Sequence, residues 1–285
     1  MRRLRASVVV PSLRPNESLL RLLLSLEEQR FEFSQIVIVD QSDNLEALEL
    51  LKAYRGPLSN CLEVIRSSPG LARARNAGLL HLNDRYDVVL VPDDDVWLAS
   101  DASNSITDAI QDGVMAGSGR LTSEGSHGGA RIAFPATAVE ISERNVWQSS
   151  IEACYFFTPS YLTQVGLYDE KLGLGASSPW QSGEGTDLLL RGIAAGMKTR
   201  FLPEYELVEG KAAELDPDAR RSRLRKYARG TGRVYARNYS TLGCVKLIIK
   251  SAARLVVHSV NGRQAARDNW QILLGRVEGL LGRLL

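Results

Sequence analysis

Cysteine is scarce in this sequence: Cys61, Cys154 and Cys244 lie far apart, are odd in number and lack metal-ligand spacing. Such a set argues against a disulfide framework and fits a reduced, cytosolic thiol state. No run reaches the roughly 20 predominantly apolar residues that span a bilayer as a helix. The basic start Met1-Arg2-Arg3-Leu4-Arg5 leads into an apolar run, Val8-Val9-Val10, that stops at Pro11 with no small-residue cleavage site after it. It reads as a first strand rather than an export signal. The first loop also lacks Gly-x-Gly-x-x-Gly, which argues against a nicotinamide or flavin dinucleotide fold.

What is present is the composition of a soluble globular protein, with 44% hydrophobic and 24% charged residues in 285. That length suits one large α/β domain with an appendage. The net charge of +2 hides an asymmetry. From Lys211 onward there are 16 Lys and Arg against 5 Asp and Glu, so the front is acidic and the tail basic. An acidic body with a basic tail points to an anionic membrane face as partner rather than to nucleic acid.

Strand signals recur along the front half. Ala6 to Val10 is a β-branched run, and helical spacing follows through Leu19, Leu22, Leu23 and Leu26 with Asn16 as cap. Gln35 to Asp40 is a second buried strand, followed by a helical segment over 45–54; Leu62 to Ile65 is a third. Strand and helix in alternation predict a mainly parallel central sheet with right-handed crossovers. Pro69-Gly70-Leu71 opens a helix carrying Arg73 and Arg75 near its start, where the macrodipole disfavours cations, so one of them should have an anionic partner, a diphosphate being the natural candidate and a nearby Asp the alternative. Val88 to Val91 is a fourth strand and runs directly into Asp93-Asp94-Asp95. Three carboxylates at the carboxyl edge of a sheet call for a cation or a set of donors, and a hard divalent ion holding the phosphates of a substrate is one solution. A solvated acidic turn is the other.

Taken together the residues resemble the family-2 glycosyltransferases of the GT-A fold. The match is carried by Val8-Val9-Val10-Pro11-Ser12, Ile36-Val37-Ile38-Val39-Asp40, Gly70-Leu71-Ala72-Arg73-Ala74-Arg75-Asn76, Asp93-Asp94-Asp95, Val165-Gly166-Leu167-Tyr168-Asp169-Glu170 and Gly183-Glu184-Gly185-Thr186-Asp187-Leu188-Leu189-Leu190-Arg191. The resemblance implies a GT-A-like nucleotide-diphospho-sugar transferase fold. It implies transfer of a sugar from a nucleoside-diphosphate donor to an acceptor hydroxyl with inversion. By the family's pattern Pro11, Ser12, Asp40, Arg75, Asn76, Asp93 and Asp94 lie at the donor, with Asp40 at the base and Asp93 at the ribose. Asp95, helped by Asp93, ligates Mn2+ or Mg2+.

The catalytic base of the family stands where this chain has Glu184 to Asp187, but in a Glu-Asp-x-Asp pattern; here Gly185 takes the second position. Glu184 is the first choice for the base and Asp187 the second, since Asp187 is well placed to brace the helix that begins there. Trp180 could stack on an acceptor sugar or pack in a core. Glu209 stands about where family members carry a metal-holding His, and a carboxylate can serve a hard cation there. The Gly- and Ser-rich segment from Met115 to Trp147, which includes Gly117-Ser118-Gly119 and His127, reads as a loop over the donor or on the surface.

Arg223, Lys226, Arg229, Arg233 and Arg237 share one helical face, and Lys246, Lys250, Arg254 and His258 share another. A basic stripe on an apolar body suits a helix in the membrane interface; a hairpin packed on the domain is the duller alternative. The division expected is a transferase domain over 1–210 and a helical appendage over 211–285. The function expected is synthesis of a cell-surface polysaccharide or glycolipid, with a saccharide or lipid-linked acceptor, at the cytoplasmic face of a membrane. The rivals are a non-catalytic binding subunit, suggested by Gly185 and Glu209, and a sugar nucleotidyltransferase, whose Gly-rich basic first loop is missing.

Overall fold

The computed structural model describes every residue except 1–2, 53, 84, 100, 126–131, 211–215 and 260–261. His127 and the glycines beside it lie outside the described residues. The chain separates into two compact units. A sheet unit comprises Met1–Pro69, Arg73–Leu167 and Leu188–Ala212, and a helical unit comprises Gly70–Ala72, Tyr168–Asp187 and Ala213–Leu285. The helical unit therefore takes in Tyr168–Asp187 as well as the tail.

In the sheet unit, β1 (Arg5–Ser12) is buried from Ala6 onward, as a strand covered on both faces must be. Next comes α1 (Glu17–Glu27), capped by Asn16, which accepts from the Ser18 amide at 2.8 Å. Then follow β2 (Glu32–Asp40), α2 (Glu46–Leu51), β3 (Leu62–Arg66), α3 (Leu71–His81) and β4 (Val88–Leu90). β1 pairs in parallel with both β2 and β4, and β2 with β3. Gly78 of α3 allows the helix to lie close on this sheet, because a Cβ there would come within 2.3 Å of Val9 Cγ1.

Past β4 the pattern changes. The elements are β5 (Val96–Leu98), α4 (Ala102–Gln111), β6 (Ala116–Ser123), β7 (Val139–Glu140), α5 (Val146–Ser149), β8 (Tyr155–Phe157), α6 (Pro159–Val165), α7 (Glu184–Ala194) and β9 (Thr199–Glu209). The sheet order is β3-β2-β1-β4-β8-β6-β9-β5, with β7 also on β9. β8 runs antiparallel to β4 and β6, and β5 and β7 run antiparallel to β9. The sheet is thus parallel through its first four strands and mixed beyond them.

Gly117-Ser118-Gly119 is not a loop. It is part of β6, between β8 and β9, and its glycines are required by crowding: a Cβ on Gly117 would lie 2.4 Å from the Arg200 carbonyl oxygen, and one on Gly119 would lie 1.9 Å from that of Tyr205. Small residues in this segment serve close packing of strands rather than mobility.

The helical unit is built on α8 (Pro217–Asn238), α9 (Thr241–Ser259) and α10 (Arg263–Leu281). Asp216 caps α8 by accepting from the Asp218 and Ala219 amides, with Pro217 at the first helical position. α8 and α10 approach closely through glycine. A Cβ on Gly275 would meet the Arg225 carbonyl oxygen at 2.4 Å, one on Gly279 that of Arg229 at 2.1 Å, and one on Gly232 that of Arg276 at 2.3 Å. Into this tight seam α10 places Glu278, fully buried. Arg225 donates to it through Nε at 3.0 Å and Nη2 at 2.6 Å, and Arg229 through Nε at 2.7 Å. Burial alone would raise the Glu278 carboxyl, but the two arginines outweigh it and hold it at about 2.

Candidate active site

The parallel register brings Ser12 opposite Asp40, and Asp40 opposite Arg66, at the carboxyl ends of β1, β2 and β3. β4 lies on the other side of β1, and the chain leaving it carries Asp93, Asp94 and Asp95 to the same edge. Ser12 donates its hydroxyl to the Asp94 carboxylate. Burial pushes the Asp94 carboxyl up to about 6; the Ser12 hydrogen bond works against this, while the Asp95 and Asp93 charges add to it.

Arg75 is fully buried and joins two acids. Its Nη2 donates to Asp93 Oδ1 at 2.6 Å and its Nη1 to Glu152 Oε1 at 2.6 Å. The anionic partners required by a cation near the start of α3 are therefore carboxylates of the protein, Asp93 and Glu152, rather than a diphosphate alone. Glu152 sits in a short turn before β8, far from Arg75 in sequence, with no local pattern to mark it. Asn76 beside Arg75 is buried, as are Pro11 and Ser12.

Asp40 faces its own turn. One carboxylate oxygen accepts from the Ser42 amide and the other from the Ala47 amide, each at 2.7 Å, so the residue closes 41–47 and satisfies a donor in the first turn of α2. Asp95 is exposed, and its carbonyl accepts from the Gly210 amide at 3.3 Å. β5 pairs with β9 so that Val96 stands opposite Glu209. Glu209 is thus in the last rung of the ladder, and Asp95, one residue before Val96, meets Gly210 just beyond it.

In the helical unit, Gly183 precedes α7 with φ +90°, and Glu184 and Asp187 occupy the first turn. Both are buried. The Glu184 carboxylate lies against Gly173, where a Cβ would come within 2.5 Å of Oε1; Gly173 has φ +97°, so glycine is demanded twice. Asp187 Oδ1 accepts from Asn238 Nδ2 of α8 at 2.9 Å. α8 also holds the approach to α7, since the Ser182 hydroxyl donates to the Tyr227 carbonyl at 2.7 Å and Arg237 pairs with Asp169. Neither Asn238 nor Gly173 carried a signal in sequence. Trp180 is buried in this unit, with the Arg233 guanidinium 5.8 Å from its ring centroid.

The family described as glycosyl transferase family 2 matches residues 7–149, half of the chain. The chain belongs to glycosyl transferase family 2. Solved structures agree on the fold. The mannosyltransferase PcManGT from Pyrobaculum calidifontis, in complex with GDP-Man and Mn2+, is 15% identical with a TM-score of 0.64, over 99% of this chain and 88% of that one. S. aureus TarS residues 1–349, in complex with UDP-GlcNAc, is 15% identical with a TM-score of 0.58, over 98% and 92%. GalNAc-T7 with UDP, GalNAc and Mn2+ is 17% identical with a TM-score of 0.59, over 82% of this chain and 50% of that one. A search of curated protein sequences finds no match. The fold is GT-A, and the chain is a glycosyltransferase.

A divalent cation suits the donor set at the sheet edge, because Asp95 and Glu209 offer only oxygen and Asp95 is open to solvent. Among the described residues no group of three or more His, Cys, Asp or Glu side chains is gathered to hold a metal.

Proposed function

We propose that this chain is an inverting, metal-dependent glycosyltransferase that moves a sugar from a nucleoside-diphosphate donor to an acceptor hydroxyl. The observation that carries this is the delivery of Ser12, Asp40, Asp93, Asp94 and Asp95 to one carboxyl edge by parallel strands, in a chain of this family.

Asp95, with Glu209 at the end of β9, is assigned to the cation, Mn2+ or Mg2+, which when bound would neutralise charge on the departing diphosphate. Asp93 is given to the ribose and is oriented by Arg75, itself braced by Glu152. Asp94 and Ser12 form one unit beside it, with Pro11 and Asn76 shaping the wall. Asp40 serves the donor by fixing the turn 41–47 against which a base would lie.

Glu184 is assigned as the base. It takes the proton from the acceptor hydroxyl, whose oxygen attacks the anomeric carbon opposite the diphosphate; the new C–O bond forms as the old one breaks, and the configuration inverts. Asp187 is assigned to bracing, because Asn238 already holds it. The acceptor is proposed to be a saccharide or lipid-linked saccharide of a cell-surface polysaccharide or glycolipid, met at the cytoplasmic leaflet.

The test is a panel of nucleotide sugars with and without Mn2+. Wild type should gain thermal stability from one donor only with metal. Glu184→Gln should keep that gain and lose transfer by roughly 10²–10⁴-fold. An active Glu184→Gln beside an inactive Asp187→Asn would exchange the two roles, and a product of retained anomeric configuration would end the inverting assignment.

A further inference from the structure

In a helical unit whose α8 and α10 pack through glycine, the outward face of α9 stands out. Leu247 and Ser251 are buried on its inner side. A helix packed this way ordinarily turns polar residues to solvent. Here Leu242, Val245, Ile249, Val256 and Val257 are between 47% and 69% exposed. At about 3.6 residues per turn, Val245, Val256, Ile249 and Leu242 fall within about 60° of one another. They form a continuous apolar stripe along the helix.

Beside the stripe run Lys246, Lys250 and Arg254, all exposed, with Val257 between them on the helical wheel. None of the three forms a salt bridge among the described residues. From Thr241 to Ser259 there is no Asp or Glu at all. The face thus combines apolar surface with uncompensated positive charge and carries no countercharge of its own. No helix among the described residues is long and apolar enough to cross a membrane, and an apolar stripe bordered by cations suits a helix lying in the plane of an interface.

We infer that the outer face of α9 is a docking surface for an anionic lipid bilayer, with Leu242, Val245 and Ile249 entering the acyl boundary and Lys246, Lys250 and Arg254 at the phosphate level. A second copy of the chain fits less well, since a face-to-face pair would bring two sets of like charges together. The bilayer supplies both the apolar phase and the missing negative charge. The inference deepens the proposed lipid-linked acceptor by stating how the chain reaches it, but it does not depend on catalysis.

The test is sedimentation of the full chain with vesicles, without donor or acceptor, so that failure here and failure of the transfer reaction are seen separately. Vesicles of phosphatidylcholine with phosphatidylglycerol should bind wild type, and phosphatidylcholine alone should bind it far more weakly. Lys246→Glu/Lys250→Glu/Arg254→Glu should lower binding by roughly 100-fold or more, from about fivefold per cation lost. Val245→Asp/Ile249→Asp should also abolish it, with the same melting temperature and donor stabilisation as wild type. Equal pelleting of wild type and both variants, or no pelleting of wild type, would overturn the inference. So would a wild-type dimer in solution that Val245→Asp/Ile249→Asp converts to monomer.

Discussion

α8 and α9 carry the same kind of pattern, cations repeating every three or four residues, yet they use it in opposite ways. On α8, Arg225 and Arg229 turn inward to the buried Glu278, Arg237 pairs with Asp169 and Arg233 lies near Trp180. On α9, Lys246, Lys250 and Arg254 stay at the surface beside exposed apolar residues. A basic stripe read alone does not distinguish a structural seam from a docking face. The distinction lies in whether acids elsewhere in the chain come to meet it, and only α8 has them.

The strongest way to break this comparison is to remove the acid. Glu278→Ala should cost roughly 3–5 kcal/mol, because it leaves two arginines in the seam without their carboxylate, and denaturant unfolding would show it. Titration sharpens the same point. The Glu278 carboxyl has an ordinary value of 4.5 and is held at about 2 in the fold. Its contribution should therefore be complete above about pH 4.5 and disappear as pH falls towards 2. Wild type should lose stability across that window, and Glu278→Gln should lose less.

Next in size is the seam itself. Gly279→Val would force a side chain against the Arg229 carbonyl and should destabilise by about 1–3 kcal/mol in the same assay. Asn238→Ala tests whether the inward work of α8 reaches the chemistry. It should slow transfer by about tenfold, from the loss of a hydrogen bond to a charged group worth roughly 1.5 kcal/mol, with the donor-induced rise in melting temperature unchanged. At the small end, Lys250→Ala on α9 should leave stability within about 0.5 kcal/mol of wild type. A loss as large as that of Glu278→Ala would erase the contrast between the two helices.

Much of the sheet was legible because its signals are local. β-branched runs mark β1, β2 and β4, Asn16 marks a helix start, and Asp93 to Asp95 mark a sheet edge. The sequence alone suggests a loop at β6 because its glycines answer to Arg200 and Tyr205, neighbours that only the folded chain brings near. Glu152 and Asn238 were missed for the same reason: their partners are 77 and 51 residues away, and a single polar residue has no period. Asp40, Asp93 and Asp187 were visible as acids, but their hydrogen-bonding partners were not. Those partners show Asp40 holding a turn, Asp93 held by Arg75 and Asp187 held by Asn238.

The most direct measurement is the melting temperature of wild type, Asp95→Ala and Glu184→Gln with a panel of nucleotide sugars, each with Mn2+ and with chelator, followed by a transfer assay on any donor that binds. The account predicts a donor that stabilises wild type and Glu184→Gln only with metal, fails to stabilise Asp95→Ala with or without it, and is turned over by wild type alone. A donor that stabilises Asp95→Ala as strongly as wild type in Mn2+, or a Glu184→Gln variant with undiminished transfer, would contradict it.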